Sequence, residues 1–154
     1  MSGLQFASNG YVLQGDPLTL VGGRAVLRVG DGTAAGSGIT ATINSVLAGG
    51  TGITKADEGT LVLNGANTFI GGVTVNGGVV QISSDANLGG TAGRLILDGG
   101  ALRTTADITA DRDVRVTGDG GTFETAPTTT LTLVRAVDGK GVLAKTGDGT
   151  LVLA

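Results

Sequence analysis

GTLVLNGANTFIGGVTVNGGVVQI, residues 59–82, sets three short alternating apolar runs between glycine-rich corners. Leu61 and Leu63 form the first run, Val73 and Val75 the second, Val80 and Ile82 the third. Apolar residues at every second position mark a strand with one buried face. Asn-Gly and Gly-Gly pairs mark sharp corners, where positive φ is cheap. A stretch of 24 residues with three strands and three corners cannot close a core alone. It needs similar units above and below it.

Such units run along the chain. Gly-Gly pairs recur at Gly22, Gly49, Gly77, Gly99 and Gly120, with intervals of 27, 28, 22 and 21 residues, and Gly139-Lys140-Gly141 follows after 19. Intervals in the twenties signal a stacked solenoid. Parity supports one register across these corners. Counting back in even steps reaches Leu18 and Leu20, Ile43 and Leu47, Val73 and Val75, Leu95 and Leu97, and Val114 and Val116. Counting forward reaches Ala25 and Leu27, Val80 and Ile82, Leu102, and Phe123. A slip by one residue would turn each strand inside out. The corner at Gly49 fits least well, because Ser45 takes an inward place. The expectation is an all-β, single-stranded parallel β-helix of about six to seven rungs, a rod on the order of 30 Å long at ~4.8 Å per rung. Cut strand edges at its ends would favour end-to-end association.

The stretch 59–82 resembles the passenger-associated transport repeat of bacterial autotransporters. Its lead-in, GITKADEGTLVL over 52–63, is similar to the segment that precedes that repeat, and LAKTGDGTLVLA over 143–154 resembles the same lead-in. Lys55 and Lys145 stand 90 residues apart, about four rungs. The division expected is an irregular start over 1–10 and a β-helix over 11–154, with one repeat at 52–82 and the start of a second at 143–154. The resemblance implies a right-handed coil and a passenger exported through an outer-membrane barrel of the same polypeptide, adhesin-like in character. It implies a place on the bacterial cell surface or in the secreted fraction. The partners it implies are a host cell-surface or matrix protein or glycan, and self-association. The start MSGLQF lacks a signal peptide's charged and apolar regions, and the end at LVLA falls mid-strand, so the expectation is a fragment of a longer passenger.

Composition agrees with a narrow tube. The chain has 154 residues, 30 glycines, three Phe, one Tyr and no Trp. Its mean hydropathy is positive, and the aliphatic pattern is regular, unlike a disordered chain. No apolar run approaches the ~18 residues of a membrane-spanning helix. Thirteen acidic residues against ten basic ones argue against nucleic-acid binding, which needs a basic patch. The chain contains no cysteine. For a passenger that threads a barrel after crossing an oxidising compartment, a premature disulfide would block passage.

Histidine is absent as well, which removes Ser-His-Asp and Cys-His catalysis and the usual zinc sites. No catalytic, cofactor or metal residue is assigned, and the chain reads as non-enzymatic. The one local concentration of charge is Asp107, Asp111, Arg112, Asp113 and Arg115. With Val114 and Val116 inward, Asp113 and Arg115 share an outward face, the kind of acid–base pair a glycan-cleaving groove would use. A solvated, self-neutralising pattern that keeps the surface soluble is the preferred account, since no matching Asp pairs occur on neighbouring rungs. Gly118–Gly121 and Gly147–Gly149 lack the nine-residue period of calcium-filled rolls and read as corners. Asn67 and Thr68 read as a corner, with Asn67 in a left-handed turn capping its own backbone. Phe69 reads as covering the tube wall. An adhesin would carry binding dispersed over the outward faces or in two longer loops, Asp31–Gly38 and Ser84–Gly93. A structural spacer and a polysaccharide-acting enzyme are the alternatives.

Overall fold

The computed structural model describes residues 1–154. Nineteen short strands and two 3-10 turns follow one another, all strand pairs are parallel, and there is no α-helix. The strands stack into two seven-stranded sheets and a discontinuous third face. The first sheet holds Gly3–Phe6, Ala25–Val29, Ile53–Ala56, Val73–Val75, Leu95–Leu97, Val114–Val116 and Val137–Gly139. The second holds Tyr11–Leu13, Thr40–Ile43, Thr60–Leu63, Val79–Ile82, Ala101–Thr104, Gly121–Thr125 and Leu143–Thr146. The third face pairs Leu18–Thr19 with Leu47–Ala48, and stacks Ile108–Ala110, Thr130–Leu133 and Thr150–Leu153. Between these two blocks the third and fourth rungs cross that face without a strand, and Asp85–Leu88 forms a 3-10 turn there.

The chain is therefore a β-solenoid of seven rungs. Pairings along the first sheet run Gly3 to Val26, then Ala25 to Ile53, Val73, Leu95, Val114 and Val137. One turn takes 23, 28, 20, 22, 19 and 23 residues in succession. The long second turn carries its excess at the corner Gly30–Ile39, since Thr40 pairs directly with Thr60. Insertion there leaves the strands in register, because the inter-rung ladder resumes on either side of the bulge.

The inward parity holds on every face. Ala25, Leu27, Val73, Val75, Leu95, Leu97, Val114, Val80, Leu61, Leu63, Leu102 and Phe123 are all buried and belong to one core. Burial of one Val or Leu is worth roughly 1.5–3 kcal/mol, and stacked columns repeat that gain at each rung. The third face adds Leu47, Phe69, Leu88, Ile108 and Leu131. The first and last rungs lack one neighbour each, so inward Tyr11 and corner Val142 are exposed.

Two expectations need correction. Residues 1–10 are not an irregular start: Gly3–Phe6 is a strand paired with the second rung, and Phe6 is buried. Its alternation is too short to stand out in the sequence. The Gly-Gly anchors mark two kinds of corner. Gly77, Gly99 and Gly120 lie between the first and second sheets, and Gly139 ends the last strand of the first sheet at the same kind of corner, whereas Gly22 and Gly49 lie between the third face and the first sheet. The true counterpart of Gly78 one rung earlier is Gly59, because Val79 pairs with Thr60. Parity survived the mixing because both kinds of corner are flanked by strands with the same inward alternation. Gly78 itself has φ +60, and a Cβ there would strike the carbonyl of Gly59, so the close stacking of these corners requires glycine.

The two repeats are offset by four rungs, as their 90-residue spacing implies, and also by one face. Residues 53–56 lie in the first sheet and 60–63 in the second, but 143–146 lie in the second and 150–153 on the third face.

The register makes a sharp prediction. Val75 is fully buried and Thr74 beside it points outward, half-exposed. Val75→Asp places an unpaired charge in a dry column and should cost at least about 3 kcal/mol. Thr74→Asp should cost less than about 1 kcal/mol. Equal losses of melting temperature, followed by circular dichroism, would contradict the assigned faces.

Candidate functional site

The charged cluster separates into four different environments. Arg112 is 1% exposed and points into the solenoid. Its Nε and Nη2 donate to the two carboxylate oxygens of Asp85, at 2.7 and 3.0 Å. The same guanidinium donates to the backbone carbonyls of Asp85, Leu88, Gly89 and Gly93 at 3.0–3.2 Å. It is a structural strut that ties the fifth rung to the strandless corner of the fourth. Asp107 accepts from the backbone N–H of Thr130 at 2.8 Å. Asp111 pairs with Arg135 at 2.5 Å, and that hydrogen bond holds the carboxyl of Asp111 below its ordinary range and raises Arg135. Asp113 and Arg115 do share the outward face, but each faces another rung. Asp113 lies 3.6 Å from Arg94, and Arg115 lies 3.4 Å from Asp138, which also faces Arg94. The cluster is a set of inter-rung ion pairs on an open surface, and no cavity opens beside it. Nor do acidic residues gather closely enough to hold a metal ion.

Asn67 is buried, and it is not left-handed. Its Oδ1 accepts from the N–H of Leu47 in the rung below, at 2.7 Å, and its Nδ2 donates to the carbonyl of Asn87 in the rung above, at 2.6 Å. Asn87 donates back to the carbonyl of Gly65 at 3.0 Å and accepts from Ser83 and Ser84. These amides add to the few backbone bonds that cross the strandless part of the third face, such as Asn67 N–H to Ala86 and Thr68 N–H to Leu47, since buried backbone groups need partners. The expected left-handed turn and capping of its own backbone are therefore not found: the Asn67 side chain bonds the backbone of the two adjacent rungs instead. Phe69 lies fully inside the core rather than on the wall. Thr68 is exposed at the corner.

Two further cations were not singled out by the sequence reading. Lys55 is fully buried among inward aliphatics, between Leu27 and Val75 in its column. Its Nζ donates to the carbonyls of Ala56, Asp57 and Gly77, at 2.9, 2.6 and 3.1 Å. Burial pulls this amine down from the usual lysine range to about 8, against the opposing charges of Asp57 and Glu58. Arg24 lies across the edge of the first sheet and donates to the carbonyls of Ile53, Gly71 and Gly72. Parity could have found Lys55 and Arg112. Even steps from Ile53 reach Lys55, and even steps back from Val116 and Val114 reach Arg112. A basic residue at such a position has to be read as inward before its partners are known.

The two loops differ. Ser84–Gly93 is fastened: Ser84 and Asn87 form a capping box, Leu88 is buried, and Arg112 occupies its carbonyls. Asp31–Gly38 is mostly exposed, with only Gly36 buried. Asp31 accepts from the N–H and hydroxyl of Thr33, at 2.9 and 2.7 Å, and those bonds lower its pKa.

The buried lysine gives stability a pH dependence with a definite sign. Its pKa is lower in the folded state than in the unfolded chain. Below pH 8 both states are protonated and the burial cost is borne in full. From pH 8 to about 10.5 the unfolded chain holds more protons, so stability rises with pH, by at most about 1.4 kcal/mol per unit. Urea unfolding across that range should show this slope in the native chain and not in Lys55→Met. The same slope in both would exclude Lys55 as its source.

Comparison with known proteins follows the same lines as the fold. The sequence family described as Passenger-associated-transport-repeat matches residues 53–82 and 143–154. The chain is 51% identical over 137 residues to the Adhesin BmaC autotransporter of Brucella suis biovar 1 (strain 1330). That match covers 89% of this chain, which spans 4% of the length of the relative. No solved structure matches the chain. The chain thus carries passenger-associated transport repeats on stacked rungs and is similar in sequence to a short stretch of an adhesin autotransporter.

Proposed function

We propose that the chain serves as a stiff, surface-displayed stalk segment of an adhesin, which mediates attachment to host or neighbouring cells and aids its own export and folding. The observation that carries this reading is the use of its charges. Arg28 with Asp57, Arg112 with Asp85, Arg103 with Glu124, Arg135 with Asp111 and Arg115 with Asp138 each join one rung to another. Side chains that could have formed a catalytic constellation are spent on holding the rod together. The reading is non-enzymatic, and the name of the BmaC relative supports the adhesin class.

Attachment on this reading is to a host cell-surface or matrix protein or glycan, or to a second copy. The site is on the cell surface, on the outer side of the membrane, with a barrel of the same polypeptide as the anchor. The open Asp31–Gly38 loop is the better candidate for contact, because the Ser84–Gly93 loop is already engaged by Arg112. No deep groove is needed: flat sheet faces and one projecting loop present a broad, shallow surface.

The test is attachment of a non-adherent bacterium that displays the passenger, with surface level matched by antibody. Replacing Asp31–Gly38 by a short glycine-serine link should lower attachment while the purified chain keeps its melting temperature. Replacing Ser84–Gly93 should lower the melting temperature first. Attachment unchanged by the first replacement, and also by removal of residues 11–154, would leave the segment a spacer and contradict the adhesive part of the reading.

A further inference from the structure

We propose that the Lys55 and Lys145 corners are the early-forming elements of the fold: each lysine clamps its own turn before any neighbouring rung is in place. The proposal deepens the folding part of the reading above and relies on it only for the consequence in export.

Sequence distance separates these two lysines from the other cations. Lys55 donates to the carbonyls one and two residues ahead, Ala56 and Asp57. Lys145 does the same with Thr146 and Gly147, at 2.8 and 2.7 Å. The other buried or bridging cations act over long separations. Arg112 reaches partners 19–27 residues away, and Arg24 reaches 29–48. Loop closure costs more as the loop lengthens, and contacts close in sequence form before distant ones. The lysine clamps alone among these cations can form in an otherwise unfolded segment.

The second observation is independent. The two copies sit on different faces of the solenoid, one starting in the first sheet and one in the second. Their neighbours differ, and Lys145 is exposed while Lys55 is fully buried. Both corners nevertheless turn through a left-handed residue two places after the lysine, Asp57 at φ 66 and Gly147 at φ 74. Both then lead, after a glycine, into Thr-Leu-Val-Leu strands, Thr60–Leu63 and Thr150–Leu153. The geometry follows the local sequence and not the face or the neighbouring rung. A clamped corner fixes the register of the strand that leaves it. In the first copy the lysine's remaining contact is the carbonyl of Gly77, one rung further on. The preformed corner thus offers a donor to the next rung as it arrives.

The test is the refolding and unfolding kinetics of the purified 154-residue chain after urea jumps, read by far-ultraviolet circular dichroism. Lys55→Met should slow refolding about tenfold and leave the unfolding rate within twofold. Arg112→Met should do the reverse, speeding unfolding about tenfold or more with refolding little changed. Lys145→Met removes an exposed amine that holds only its own corner, so the variant folds even if Lys55→Met does not. It should slow refolding about twofold at an unchanged unfolding rate. Lysine variants that refold at the native rate and unfold faster would overturn the proposal. No export step enters this experiment, so its failure would leave the adhesin reading untouched, and loss of attachment in cells would not bear on the clamps.

Discussion

The ladder of parallel backbone hydrogen bonds between successive turns of chain is the constraint on which everything else depends. Each rung must present its N–H and C=O groups where the next rung can meet them, because buried backbone groups go unpaired only at a high cost. That requirement fixes which face each side chain takes. It also decides where variation is tolerated. The eight residues Asp31–Gly38 sit at a corner, between the last ladder bond at Gly30 and the next at Ile39, and the strands on either side stay in register. Where a strand is missing, side chains add to the few backbone bonds that cross the gap. Asn67 and Asn87 bond the backbone across the third face, and Arg112 gathers the carbonyls of the 83–93 corner.

The same constraint explains the polar residues inside a tube otherwise filled by aliphatics. A buried cation is costly unless its donors are satisfied. Lys55 meets that demand with three carbonyls, and Arg112 with a carboxylate and several carbonyls. Corners concentrate carbonyl oxygens that have no strand partner, so corners are where such cations fit. Arg24, Lys55 and Arg112 are variations on one solution. Removing Lys55 or Arg112 would strand several acceptors at once, which is why their cost of burial is accepted; Arg24 is exposed and makes its bonds from the sheet edge.

Much of this was legible in the chain itself. The alternation of Leu61 and Leu63, Val73 and Val75, and Val80 and Ile82 places three strands with the correct faces, and the intervals between glycine pairs give a solenoid. The rung assignment was less legible. Gly-Gly pairs mark a tight corner without saying which of the three corners it is, so Gly49 and Gly77 looked equivalent although they are not. Gly3–Phe6 was missed because Leu4 and Phe6 alone are too short a pattern. The charged stretch Asp107–Arg115 looked like a site because the sequence shows its charges side by side. Their partners, Asp85, Arg94, Thr130, Arg135 and Asp138, lie one rung away, where only the fold brings them. The resemblance to passenger repeats pointed correctly to a rod of stacked parallel rungs.

The central claim is the rung-to-rung register, and cysteine cross-linking tests it directly because the native chain has no cysteine. Thr54 and Thr74 are outward partners on adjacent rungs, and Ile96 is the next partner in the same column. Adjacent strands lie ~4.8 Å apart, within the ~4.4–6.8 Å span of Cα atoms that a disulfide bridges. Two rungs, at about twice that spacing, are beyond it. The register predicts that Thr54→Cys with Thr74→Cys oxidises to an intramolecular disulfide in the folded chain, and that Thr54→Cys with Ile96→Cys does not. Cross-linking of the second pair in preference to the first would contradict the stack described here.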